Sequence, residues 1–425
     1  TCRIAAREYQ FEKFTEVEVA DFDDGQIETF VNNWFRERDE SKAERLLERL
    51  KGNKPVKELA KSPLLLTLLC LVFGERNDFP PKRSELYKEG LEVLMKKWDA
   101  KRNIEREVIY KHLSPQNKED MLGQIAFNTF VNGEYFFRQE DLQRQIKDYI
   151  CNLPEASADP EALRLDSEVV LKAIEHHHGL LVERARNIYS FSHLTFQEYF
   201  AAREIERERH FEILMQHITD AQWKEVFILT AEMLRRSDDF LKMMKDRIDG
   251  MMANDEKLQA FLAWADQKTN SIKFNYKTVA VRAFYSYVEN RALVRVLDLT
   301  LYYALARDFD FAPDFNFDPD FVYIDDAVLL PALQAFKSES QVLSNQKNFD
   351  QWWENHGKEW IEELRQLCID RRSIGHDWQF TNEQTELLNQ YYAANLLLVE
   401  CMNRSYVSKQ VREEIESTML LPSKK

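Results

Sequence analysis

"YSFSHLTFQEYFAA", residues 189–202, holds two structural periods with one histidine at the join. Tyr189 and Phe191 alternate with Ser190 and Ser192, the pattern of a half-buried strand. From Leu194 the apolar residues fall at Phe196, Tyr199, Phe200 and Ala201, close to the spacing of an amphipathic helix. His193 stands at the changeover. Three readings are open for it: packing, metal or catalytic chemistry, or contact with something bound.

Upstream of this junction, "LLVER" (180–184) and "IYSFS" (188–192) flank "ARN", which predicts an antiparallel hairpin. Helices predicted at about 114–132 and 138–151, and the segment "DSEVVLKAIEHHHG" (166–179), come before it. Helices, then a hairpin, then one more helix predict a winged-helix domain over residues 105–207. Residues 21–104 read as a helical subdomain. Asp23 or Asp24 caps a helix with Ile27, Phe30, Val31, Trp34 and Phe35 on one face, and Pro63 opens another at a first-turn position, where a missing N–H costs nothing. Residues 1–20 are β-like, with Val17 and Val19 alternating against Glu16 and Glu18. They resemble the last strands of a sheet whose earlier strands lie upstream, and the start at Thr1 rather than Met adds to the expectation of a longer parent. Residues 208–425 read as almost wholly helical, with the boundary on the charged run "REIERERH". Helix pairs of this kind stack into solenoids, but no fixed repeat period is present. The fold expected is mainly α with a small winged-helix hairpin.

The 425 residues carry 73 acidic against 58 basic side chains, a net charge of -15. That balance weighs against a protein whose main task is to hold duplex DNA, because such affinity comes largely from neutralised phosphates. Gly totals 10 and Pro 11, which fits long helices and few tight turns. Cys2, Cys70, Cys151, Cys368 and Cys401 are scattered and form no C-x-x-C pair, as expected of reduced thiols in a cytoplasmic protein. The longest apolar run, "PLLLTLLCLVF" (63–73), is about half what a membrane span needs.

Three stretches invite chemistry. Three consecutive histidines, 176–178, would point about 100° apart on a helix and cannot all face one ion. They read as a polar helix end before Gly179, and no metal site is expected there. Ser192 and His193 are adjacent, which does not align a hydroxyl with an imidazole nitrogen, and no G-x-S-x-G elbow occurs. "DFNFDPDFVYID" (314–325) sets Asp314, Asn316, Asp318, Asp320 and Asp325 at the ligand positions of a calcium loop. Pro319 takes the glycine position and Asp325 the place of the bidentate Glu, so an Asp-rich turn pinned by aromatics is the better account. No G-x-x-x-x-G-K-[ST] loop is present, and no complete catalytic constellation is assigned.

Taken together, "TCR" (1–3), "KSPLLLTLLC" (61–70) and "YSFSHLTFQEYFAA" resemble three motifs of the NACHT family of signal-transducing P-loop ATPases. These belong to the STAND group, which includes animal NOD-like receptors. The motifs are the sensor-1 strand end, the helical-domain proline and the winged-helix histidine, in that order. The resemblance covers about residues 1–207. "IGHDWQFTNEQTELLNQYYAANLLLVECMN" (374–403) is similar to C-terminal domains of cyanobacterial NACHT proteins. The resemblance implies that residues 1–20 are the remnant of an α/β NTPase core, and that Arg3 reaches the terminal phosphate of ATP. It implies that Pro63 packs on adenine and that His193 contacts the β-phosphate of ADP. For His193 the plain alternative is a buried histidine bonded to a backbone carbonyl. Walker A and B would lie upstream, with Mg in the intact parent.

Further implications are an unknown ligand or protein sensed by the helical C-terminal region, homo-oligomerisation on activation, and a role in antiphage-like defence. Two other classes stay open. One is a winged-helix DNA-binding regulator, against which "DSEVVLKAIEHHHG" offers one lysine to three acids. The other is a helical-repeat scaffold without nucleotide.

Overall fold

The computed structural model describes residues 21–36, 39–52, 54–78, 80, 82–99, 113–153, 159–175, 180–270, 277–280, 282–283, 286 and 378–423. Arg3, the three histidines and the Asp-rich segment 314–325 lie outside them. Two compact units are present: one spans Thr1–Leu241 and Leu397–Ser408, the other Lys242–Leu396 and Lys409–Lys425.

The first unit begins with helices α1 (Asp24–Phe35), α2 (Glu40–Gly52), α3 (Lys54–Ala60), α4 (Pro63–Arg76) and α5 (Arg83–Asp99). Asp23 starts α1 through a full capping box: its carboxylate accepts from Gln26 N at 2.7 Å, and the Gln26 side chain accepts from Asp23 N at 3.0 Å. Ile27, Val31 and Phe35 follow at helical spacing and are buried. Helix α4 is apolar all round, as suits a central helix, and it buries Leu65, Leu66, Leu68, Leu69, Cys70, Val72 and Phe73. Helix α5 lies so close to it that a Cβ added at Gly90 would stand 2.7 Å from the Leu68 Cδ2.

The chain then builds α6 (Pro115–Val131), β1 (Phe137–Arg138), α7 (Gln139–Ile150), α8 (Pro160–Ala173), β2 (Leu181–Ala185), β3 (Ile188–Phe191) and α9 (Leu194–Glu208). The predicted hairpin is present, with a tighter turn than expected. Arg186 and Asn187 form it, and Asn187 takes φ 61°, a left-handed conformation that Asn tolerates. A third strand was not legible in sequence: two-residue β1 pairs antiparallel with β3, giving the order β1-β3-β2. Phe137 of that strand meets Phe191 edge-on, at 6.1 Å between centroids, which anchors so short a strand. Helices α10 (Phe211–Gln216) and α11 (Lys224–Met233) complete this stretch.

Helices α12 (Asp238–Met251), α13 (Glu256–Asn270), α14 (Asn382–Arg404) and α15 (Lys409–Thr418) hold most of the described residues beyond. In the second unit, Asp255 caps α13 by accepting from Lys257 N and Leu258 N, both at 3.0 Å, and from the Gln384 amide at 2.8 Å. Phe261 sits at 5.4 Å from both Trp378 and Phe380. Among the described residues the architecture is therefore mainly helical with one small winged-helix sheet. Among the described residues, no helix is long and apolar enough to cross a membrane.

Candidate functional site

The hairpin delivers His193 to the start of α9. Leu181 pairs with Phe191 and Val182 with Ser190, so the two strands reach the junction in register. Ser192 is then fixed from both sides. Its N–H donates to Leu180 O at 2.8 Å, and its carbonyl accepts from Arg184 Nη2 at 2.9 Å. The same guanidinium donates through Nε to Ser190 Oγ at 3.0 Å, bracing the strand that leads into α9. His193 follows in extended conformation, φ -136° and ψ 139°, and is the N-cap of α9. Its carbonyl accepts from Phe196 N at 3.0 Å. Its ring meets Phe196 edge-on at 5.8 Å and stays exposed.

This exposure overturns the plain reading of a buried histidine. The strand alternation ends at Phe191, and the helical period turns Phe196, Gln197 and Phe200 inward, leaving His193 outside. The side chain makes no capping hydrogen bond, and the first turn of α9 holds no acidic residue. The amide groups and positive dipole end of this helix are thus not neutralised by a carboxylate of that turn.

Behind the junction α9 is held by buried polar contacts that periodicity did not reveal. The Gln197 amide donates to Thr129 Oγ1 at 2.9 Å and to Glu134 O at 3.0 Å, fixing the rotation of α9 on α6. Two turns further, Arg203 bridges Glu119 at 2.9 Å and Asp120 at 2.8 Å, and Arg207 pairs with Glu204 at 2.8 Å. Burial raises the Glu119 carboxyl above its ordinary range even though Arg203 pulls it down. Gly123 permits the close approach, since a Cβ there would stand 3.2 Å from Glu204 Oε2. The charges of "REIERERH", read in sequence as a domain boundary, are in part the lock between α6 and α9. Composition gives no sign of it, because the acids that Arg203 meets, Asp120 and Glu119, lie 83 and 84 positions away.

Pro63 occupies the first turn of α4, after N-cap Ser62 in extended conformation. Its carbonyl accepts from Thr67 Oγ1 at 2.9 Å, and its ring is exposed while the next turns of the helix are buried. The structure thus places two of the three expected nucleotide-contact residues, Pro63 and His193, each exposed at the start of a helix. Among the described residues, no group of three or more His, Cys, Asp or Glu side chains is arranged to hold a metal ion.

Three strands of order β1-β3-β2, helices before them and a helix leaving the last strand define a winged-helix domain joined to further helices. Comparison with known families agrees. The winged helix-turn-helix domain C-terminal to NACHT matches residues 83–205, and NACHT C-terminal helical domain 2 matches residues 329–422. The chain carries the C-terminal domains of the NACHT family. No curated protein was found to match it. The winged-helix match starts at α5, the helix whose N-terminus also receives a carboxylate from α11: Ser84 N donates to Glu232 Oε2 at 2.9 Å.

Proposed function

We propose that this chain supplies the lid of a nucleotide-dependent NACHT signalling switch, in which His193 latches onto the β-phosphate of ADP. The observation that carries the reading is the exposed His193 at the N-terminus of α9, a helix end with no acidic residue in its first turn. Such an end favours anions, because unpaired amides and the helix dipole point at the ligand. An imidazole beside it adds a donor that can also carry positive charge. The exposed Pro63 ring offers a flat apolar surface for adenine in the same reading. Arg3 would reach the terminal phosphate of ATP, and a guanidinium suits that task because it is always charged and binds oxygen pairs.

A ligand held by two domains stabilises the arrangement it bridges. Bound ADP would therefore keep the lid closed at rest. Recognition of a ligand or partner by the helical C-terminal region would loosen it, allow ATP to replace ADP and permit oligomerisation. ATP hydrolysis and Mg binding belong to the P-loop and acidic strand of the intact parent. The cell compartment in this reading is the cytoplasm, and the biological role is defence signalling.

The test uses the intact parent loaded with fluorescent ADP. His193→Ala is expected to speed ADP dissociation at least about tenfold, the loss of roughly one charge-assisted hydrogen bond. Dissociation at the unaltered rate, with signalling also unaltered, would refute the latch.

A further inference from the structure

We propose that Leu397–Ser408 is an internal strap whose seating keeps the N-terminus of α5 capped by Glu232. The regulatory meaning of the strap rests on the switch reading above, but its physical action does not.

The strap is seated in the first unit by apolar and polar contacts. Leu398, Cys401 and Met402 are buried, at 0%, 0% and 2% exposure. Glu400 pairs with Lys224 of α11 at 2.8 Å. After the helix ends, two backbone contacts hold the strap: Ser237 N donates to Tyr406 O at 3.0 Å, and Ser408 N donates to Asp238 Oδ1 at 2.8 Å.

A polar seam runs between α5 and α11, the helix whose Lys224 pairs with Glu400 of the strap. Arg83 Nη2 meets Glu225 Oε1 at 2.8 Å, and Lys82 Nζ donates to Glu232 O at 3.2 Å. Glu232 and Ser84, joined by the amide–carboxylate bond, are each only 5% exposed. That bond acts as a tertiary N-cap for α5, in place of a local one. Cys401 of the strap lies within electrostatic reach of Glu232 and Glu225; burial raises the Glu232 carboxyl above its ordinary value, while the Ser84 bond, Arg83 and, least, Arg404 of the strap draw it back.

A carboxylate–amide bond is strong only while water is kept away from it. Lifting the strap would remove both the cover and the Arg404 charge. Glu232 would hydrate, and the amides of the first α5 turn would lose their acceptor. A charged seam of this kind is also suited to separation, because its groups recover hydration when they part, whereas an apolar seam would not. The strap falls within the NACHT C-terminal helical match and α5 opens the winged-helix match, so the device joins the two matched domains through residues of one compact unit.

Hydrogen exchange on the full chain, without nucleotide, tests this. Glu400→Ala/Arg404→Ala is expected to raise exchange of residues 397–408 and, with it, exchange of the α5 amides at 83–86 by about tenfold. Helix α1 serves as the unaffected control. Glu232→Gln should raise exchange at 83–86 alone, and adding it to the strap variant should produce no further rise. Asp238→Asn, which weakens the Ser408 contact together with the Arg236–Asp238 ion pair at 2.6 Å, carries the test if the double variant does not fold. Faster exchange in 397–408 with no change at 83–86, in whichever variant folds, overturns the proposal. Because no nucleotide is present, that failure is distinct from a failure of His193→Ala to alter ADP release.

Discussion

His193 shows how much one residue owes to the elements on either side of it. The strand ends inward at Phe191 and the helix restarts inward at Phe196, so the residue between them is turned out. Ser192, clamped by Leu180 O and Arg184, leaves little freedom in how the chain enters α9. Exposure has a measurable consequence. His193→Ala should change the stability of the chain by no more than about 0.5 kcal/mol, because the position is exposed. Thermal unfolding followed by circular dichroism checks this, and a large loss would mean the imidazole is structural. Neutral stability combined with faster ADP release is the pair of results that separates a latch from a packing residue.

At the scale of elements, buried ion pairs and caps decide which helices meet. Arg203 is 16% exposed and faces Glu119 and Asp120, which are 14% and 12% exposed. Arg203→Ala would take from Glu119 its ion-pair partner at the α6–α9 interface and leave Asp120 with Arg207 at 3.5 Å and the Gln116 amide, and should cost about 3 kcal/mol, read from the denaturant midpoint. A double variant that also replaces Glu119 by Leu should recover part of the loss, because it removes one unpaired charge. Helix α13 gives a pH-dependent counterpart. Burial pushes the Asp255 carboxyl up, but bonds from Gln384, Leu258 N and Lys257 N outweigh it and hold the group below its ordinary 3.8. A depressed carboxylate contributes stability that is present above 3.8 and lost as pH falls through the lower folded value. Amide protection at the start of α13 should therefore weaken below that pH, and Asp255→Asn should blunt the response. Unaltered acid sensitivity in that variant would contradict the assignment.

For the whole molecule, charge and topology together bear on what the winged helix is for. A net charge of -15 sets a repulsive background for duplex DNA. On the helix before the hairpin, the basic residue of the last turn, Lys172, is paired with Glu168 at 3.1 Å. The chain is therefore expected to produce no mobility shift with duplex DNA at physiological salt. A shift that weakens steeply as salt rises would reverse that reading. Much of this molecule was legible in sequence because its causes are local. A cap at Asp23 or Asp24, the first-turn proline at position 63, the hairpin and the helix after it all follow from neighbouring side chains and short periods, and the structure gives the cap to Asp23. So did the likeness to NACHT winged-helix and helical C-terminal domains, because its motifs are contiguous. Strand β1 was not legible: two residues carry no period, and only a partner strand 52 positions away makes them a strand. Nor were the Arg203 lock and the Glu232 cap, whose partners stand 83 and 148 residues distant. Local patterns settle most of the helices and the hairpin, since their causes lie in adjacent residues. Which buried charges meet, and that His193 is left exposed, only the tertiary packing decides, because burial and ion pairing are properties of neighbours in space.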